Sequence, residues 1–593
     1  MNIRLHGLTT ILSALVVLTA PTAVLAQDNL VTGELITTVN SGTPGKGGEV
    51  TFAVTRDITN WNVTSALGNN AVVRTVTLPI VPSAFMVQPD FTLKMNTDLL
   101  ESAELTSTDP QTVVYRIRED AVWSDGVPIT GDDFIYFWKT QNRRDCPECL
   151  INASYGHDFI ETLEQDETGK VVTATFSEPF LGWQGLFMFL YPAHLAEKHG
   201  DIAESYNNFL SNEVPAWSGG PYMVESFDPG QLVTLVPNPK WYGEKGPYLD
   251  KLKFRIITDS TQQLTALENG EVDVIYPQGA TQDMVEQAAG LDYLGIDFQM
   301  NPSANWYFMG LNSKAGPMSD IALRKAVLTA IDAGDLKAKT ADPYLRNWPH
   351  MGSVMFLPNQ AGYADRRGAR GYGTGDVEKA KGILSEAGYK LSGGSLLDPS
   401  GKPVSTLRLS FPPGYPAAND MARLITGYIA PLGLKTDLLT GPNATADYLL
   451  SGNFDLHLNY FSQQVFPAVK AGQIFLRDTR QNYFGFNDPK IEEIIGKAAA
   501  ASSIEESAAI LSEADELAMD YAALFPIYQL PTALIYKEAI LNLRDNPNQL
   551  GPAYNTARMG FSGVNGRKGP GSFRHDGPFT QIVPPMIFQA AGS

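Results

Sequence analysis

Apolar and polar side chains alternate over residues 113–118, as they do in a half-buried strand, and Trp123, Ser124, Asp125 and Gly126 then supply turn chemistry. The period changes at once. Thr130 stands as a helix N-cap, Asp132 and Asp133 fall in a first turn where the positive end of the helix dipole favours carboxylates, and Phe134, Phe137 and Trp138 recur at helical spacing. The same two periods alternate along the chain. A Thr-, Ser- and Gly-rich stretch over 27–48 reads as a flexible arm leading into a strand at 49–54; further strands are expected at 171–176, 232–236 and 252–257. A helix over 261–269 runs through Gly270 into a strand at 272–276, a step typical of α/β layers. Beyond Asn312 the pattern restarts: a helix over 377–387, capped by Asp376 and closed by Gly388, precedes strand 407–410, helix 418–429 and strands 434–439 and 455–461. Helices at 489–500 and 504–521 lead to strands 525–529 and 533–536, which run back toward the first half. The Gly- and Pro-rich residues 560–593 read as an extended tail.

A chain of 593 residues exceeds what one hydrophobic core organises, so two or three domains are expected. Residues 1–26 read as a secretory signal: Arg4, an apolar run over 8–20 too short to span a bilayer, and Val24-Leu25-Ala26 before Gln27. No cysteine follows the run, so no lipid attachment is expected, and the mature chain should be soluble outside the cytoplasm. A formal charge of −20 repels nucleic acid and anionic lipid, which excludes them as partners. The two cysteines, Cys146 and Cys149, form a CPEC pair for which a local disulfide is the first expectation in an exported chain; two free thiols or a redox pair are the alternatives.

The search for chemistry excludes more than it finds. The chain has no G-x-S-x-G elbow and no phosphate loop, and Gly371 to Gly375 lack the strand-then-helix context of a dinucleotide site. His194 and His199 are five apart and share no helix face, and adjacent carboxylates such as Glu492 and Glu493 point different ways. No enzyme, metal site or cofactor is therefore expected. Aromatic residues are in excess where loops are expected, including Trp61, Phe85, Trp183, Trp306, Tyr307, Phe461, Phe466, Tyr483 and Phe484. Such rings either wall a binding site or cement loops onto the core.

The segment 115–138, with its W-S-D-G-x-P turn and T-x-D-D-F helix start, resembles the signature of the family 5 extracellular solute-binding proteins, the peptide and nickel receptors of ABC importers. Residues 219–222, 235–243, 266–273 and 321–332 resemble further blocks of that family in the same order. Residues 82–85, 98–103 and 466–467 are similar to its actinobacterial peptide-binding branch. The resemblance implies a two-lobed α/β fold of the periplasmic-binding-protein type (type II, the large three-subdomain variety) with a hinge and an interlobe cleft. Lobe I is expected to comprise 49–90, 215–305 and 515–593, with an extra subdomain at 91–214; lobe II is expected at 306–514. It also implies a monomer that binds oligopeptides and delivers them to a membrane permease without a cofactor. The alternatives are a cell-envelope protein linked to glycolipid assembly, or an importer receptor for a non-peptide ligand such as a nickel complex or haem. In peptide-binding members an aspartate near the end of the second lobe pairs with the ligand's amino terminus. The matching stretch, 454–467, departs from that pattern: Phe461 stands where an aromatic is expected, but 462–465 offers no carboxylate, and Asp455 begins the strand. The residues expected to line the cleft are Trp61, Phe85, Trp306, Phe461, Gln463, Phe466, Asn482 and Tyr483.

Overall fold

The computed structural model describes residues 40–563 except 153–155, 278–281, 342–349, 414–415 and 549. The expected signal, residues 27–39 of the expected arm and residues 564–593 of the tail lie outside the described residues.

Two large hydrophobic cores organise the chain. One is built from residues between Val50 and Met559 that include most apolar side chains before Phe254; the other draws on residues between Met300 and Ala533. A ten-stranded sheet runs through both. Its order is Thr436–Leu439, Leu407–Ser410, Leu456–Ser462, Ile296–Leu311, Leu524–Lys537, Val274–Ile275, Glu49–Val54, Lys251–Ile256, Leu232–Pro237 and Tyr222–Asp228. Beside it, a four-stranded antiparallel sheet with Gln111–Ile117 and Val171–Phe176 at its centre shares the first core.

The segment after Gln111–Ile117 shows how local chemistry builds the first lobe. Thr130 caps the helix Gly131–Gln141, and Asp133 closes a reciprocal capping box. Asp133 does more than answer the dipole. It is buried, and it accepts from Trp123 Nε1 at 3.2 Å, Thr130 N at 3.0 Å and Ala193 N at 2.9 Å. Turn, helix start and the following segment thus converge on one carboxylate, whose burial pushes its pKa up to about 6. Lys170 Nζ donates to the carbonyls of Arg118 and Ile129 at 3.0 and 2.8 Å, closing the same knot. Cys146 and Cys149 are joined by a disulfide, S–S 2.02 Å.

The lobes are joined through two long strands. Ile296–Leu311 pairs antiparallel with Leu524–Lys537, and from Met300 onward it contributes to the lobe II core. Pro302 faces Pro531 at the crossing, and the register shifts between Pro302 and Trp306. Neither proline can donate to the ladder, so the pairing loosens there. Side chains restore the link: Gln529 Nε2 donates to Ser303 O at 2.7 Å, and buried Asp545 accepts from Asn301 Nδ2 at 2.8 Å and Thr532 Oγ1 at 2.5 Å.

Several expectations need correction. The strands expected at 525–529 and 533–536 are one strand. Trp306 and Tyr307 are not in a loop but on the strand Ile296–Leu311, and Phe85 opens a short strand, Phe85–Val87. Asn301 and Pro302 stay in register opposite Thr532 and Pro531, and the pairing becomes irregular only after Pro302.

Candidate functional site

Two cavities, of about 220 and 280 Å³, lie between the lobes. Both are lined by Asn69, Arg74 and Ser462, so Arg74 serves the two spaces together. Their walls combine apolar side chains such as Phe137, Phe180 and Phe466 with amides from both lobes, including Asn69, Gln473 and Gln481. A groove of about 1010 Å³ is larger, but it is confined to lobe I and the segment after Asn542 and touches no residue of the lobe II core.

Arg74 comes from the helix Ala71–Thr77. Its residues are mostly β-branched and favour a strand intrinsically, but Asn70 caps the helix by accepting from Val73 N, and Val72, Val73 and Val76 bury against the first core. Arg74 is the one charge in that run and faces the cleft, with Nη2 donating to Asn69 Oδ1 at 2.7 Å. Burial lowers its pKa to about 10, which leaves it cationic at neutral pH.

Lys470 comes from the opposite lobe. The helix Pro467–Phe475 starts with a proline, where the missing N–H costs nothing, and most of its residues are buried. Lys470 is its one charged residue and is only 7 % exposed. Nζ donates to Gln481 Oε1 at 2.7 Å and lies 3.5 Å from Gln473 Oε1, and it stands 5.2 Å from the centroid of the Phe461 ring. These partners are neutral, and desolvation lowers the amine's pKa to about 7.

Among the described residues, no aspartate or glutamate lines either cavity. In a protein of net charge −20, the charges among the described lining residues are thus positive. Two further lining atoms have no partner among the described residues: Ser462 Oγ and His157 Nδ1. His157 engages the Leu186 carbonyl at 2.8 Å through Nε2, which fixes that nitrogen as the donor and Nδ1 as an acceptor.

The residues named from sequence have distinct places. Phe466 lines the cavity. Phe461 is the ring beneath Lys470; it stacks on Phe308 at 4.3 Å and contacts Trp306 at 5.9 Å, so these rings anchor the amine to the lobe II core. Gln463 is buried and donates to Met355 O at 2.6 Å. Asn482 accepts from the amides of Gly485 and Phe486 and donates to Phe486 O, holding a turn that Tyr483 shares. Trp61 packs on Phe227 at 5.3 Å and Phe85 on Trp183 at 5.7 Å, both within the first core. Asp455 is taken by Arg408 at 2.9 Å. Sequence reasoning missed Arg74 and Lys470, although each is a lone cation in an apolar run. Among the described residues no cluster of three His, Cys, Asp or Glu side chains could hold a metal, and no helix is long and apolar enough to cross a membrane.

A model of the bacterial extracellular solute-binding proteins, family 5 Middle, matches residues 94–483. The oligopeptide-binding protein OppA of Mycobacterium tuberculosis is 28% identical over 504 residues, covering 84% of this chain and 82% of the relative. Among solved structures, the periplasmic EDTA-binding protein EppA is 99% identical, with a TM-score of 0.87 over 90% of this chain and 100% of that one. The oligopeptide-binding protein AppA of Bacillus subtilis, solved with a nonapeptide, shares the fold at 16% identity, with a TM-score of 0.74 over 88% of this chain and 100% of that one.

Proposed function

We propose, from the premise that this chain belongs to the bacterial extracellular solute-binding proteins of family 5, that it captures a polycarboxylate chelate of the EDTA class between its lobes. It then presents the chelate to the permease of an ABC importer. The observation that carries this reading is the charge of the cleft: Arg74 from one lobe and Lys470 from the other, with no carboxylate among the described lining residues. Buried Lys470 is answered among the described residues by amide oxygens and a ring, and a ligand with several carboxylates can reach it and Arg74 at once. The amides of Asn69, Gln473 and Gln481 add donors for the remaining oxygens. The 99% identical EDTA-binding protein supports the same ligand class. Hinge closure around the ligand brings the two cations to it from opposite sides and needs no cofactor.

The test is calorimetric titration of the purified protein with the magnesium complex of EDTA, metal-free EDTA and a pool of short peptides. The chelates should bind at one per chain. Saturable binding of peptides with no heat from either chelate would overturn the reading. That result would favour a second one, an oligopeptide receptor, which the OppA relative supports over most of the chain. There the cations would receive the peptide's carboxyl terminus.

A further inference from the structure

Lys470 sits in an unusual setting for a cation in a binding site. Its amine is enclosed and, among the described residues, is met only by amide oxygens and the face of Phe461. No other residue of its helix, Pro467–Phe475, is charged. The strand Leu456–Ser462 packed beside it presents Phe461 and Ser462, and the segment after the helix presents Gln481. Arg477, Asp478 and Arg480 of that segment are exposed and do not line the cavity. Across the cleft the titratable groups among the described lining residues are Arg74 and His157. An ammonium here is desolvated and met by neutral groups among the described residues, so the neutral amine is unusually accessible. A docked carboxylate reverses that balance, because at a few ångströms in a dry site its attraction outweighs the loss of water.

We infer that Lys470 is the charge-reading residue of lobe II and that it takes up a proton from solution as a ligand carboxylate docks against it, making capture a proton-coupled step. The proton comes from bulk buffer and adds to the Nζ lone pair; no bond of the ligand forms or breaks. This inference rests on the chelate reading above. The lowered pKa of about 7 in the unliganded cavity accords with it.

The experiment is titration calorimetry of the full chain with the magnesium complex of EDTA, which carries no proton titrating near neutrality, in pairs of buffers of low and high ionisation enthalpy. With a free amine near 7 and a fully charged one when bound, uptake should be about 0.9 proton per ligand at pH 8 and about 0.1 at pH 6. Affinity should fall nearly tenfold per pH unit above pH 7. Lys470→Met and Lys470→Gln should each abolish the uptake and flatten the pH dependence, with weaker binding throughout. Binding at pH 8 with no proton exchanged would overturn the inference and leave the chelate reading standing. Uptake that persists in both variants would assign the proton to another group and overturn it as well. Absence of chelate binding at any pH would overturn both.

Discussion

Replacing Lys470 by Met should stabilise the ligand-free protein, and the gain should depend on pH. The side chain keeps its length and its apolar stem but loses the amine. In the folded chain that amine's pKa is lowered from 10.5 to about 7 by burial. At about 1.4 kcal/mol per unit, this costs about 5 kcal/mol where both folded and unfolded chains are protonated. The amide partners and the Phe461 ring act on the charged form, so their effect is already contained in the folded pKa and is not subtracted again. The sign follows from linkage. The folded pKa is depressed, so the penalty is complete below pH 7, shrinks between pH 7 and 10.5 as only the folded amine gives up its proton, and vanishes above. Urea unfolding of the ligand-free protein should therefore find the K470M variant's advantage about 3 kcal/mol larger at pH 6 than at pH 9. A variant no more stable at pH 6, or one with the same advantage at both pH values, would refute the assignment of a charged, poorly compensated amine to this cavity.

Arg74→Gln should weaken chelate binding by about 2 kcal/mol, roughly thirtyfold, because a charge-assisted contact is lost while the helix cap at Asn70 is kept, as titration would show. Gly182→Val should impair closure: a Cβ at Gly182 would lie 2.9 Å from Val469 Cγ2 of the other lobe, besides 2.8 Å from Phe180 Cζ of its own. Affinity should drop at least tenfold, and small-angle scattering should show a less compact liganded state. Cys146→Ser together with Cys149→Ser opens a loop so short that it should cost only about 2 kcal/mol of stability and leave affinity within twofold.

How far the structure was legible in the sequence depends on what competed with each local signal. The strand Val171–Phe176 shows clean alternation and sits at the bounds its pattern implies, and Thr130 and Asp376 cap their helices as their positions suggest. The lobe-crossing strand Ile296–Leu311 was hidden because Asn301, Pro302 and Ser303 carry the chemistry of a turn. The helix Ala71–Thr77 was hidden by β-branched residues whose preference is overridden by packing. The candidate site was less legible than the fold. Rings at the ends of elements were read as cleft walls, yet Trp61 and Phe85 fill the first core, since a core needs large side chains in the same places. What distinguishes Arg74 and Lys470 is that both line one interlobe cavity with no acid among its described lining residues, and no one-dimensional pattern contains that.

The crossing between the lobes also determines what kind of mechanical element joins them. The two long strands keep one register from Ile296 opposite Lys537 to Pro302 opposite Pro531 and another from Phe308 opposite Pro526 to Gly310 opposite Leu524. Sliding one strand past the other would break the pairing on both sides at once, and stretching would break every rung. Twist about the ribbon's axis breaks neither, and it concentrates where Pro302 and Pro531 leave the rungs out. The joint is a torsion bar clamped at both ends, so the lobes rotate about one soft axis while their separation along the sheet stays constant.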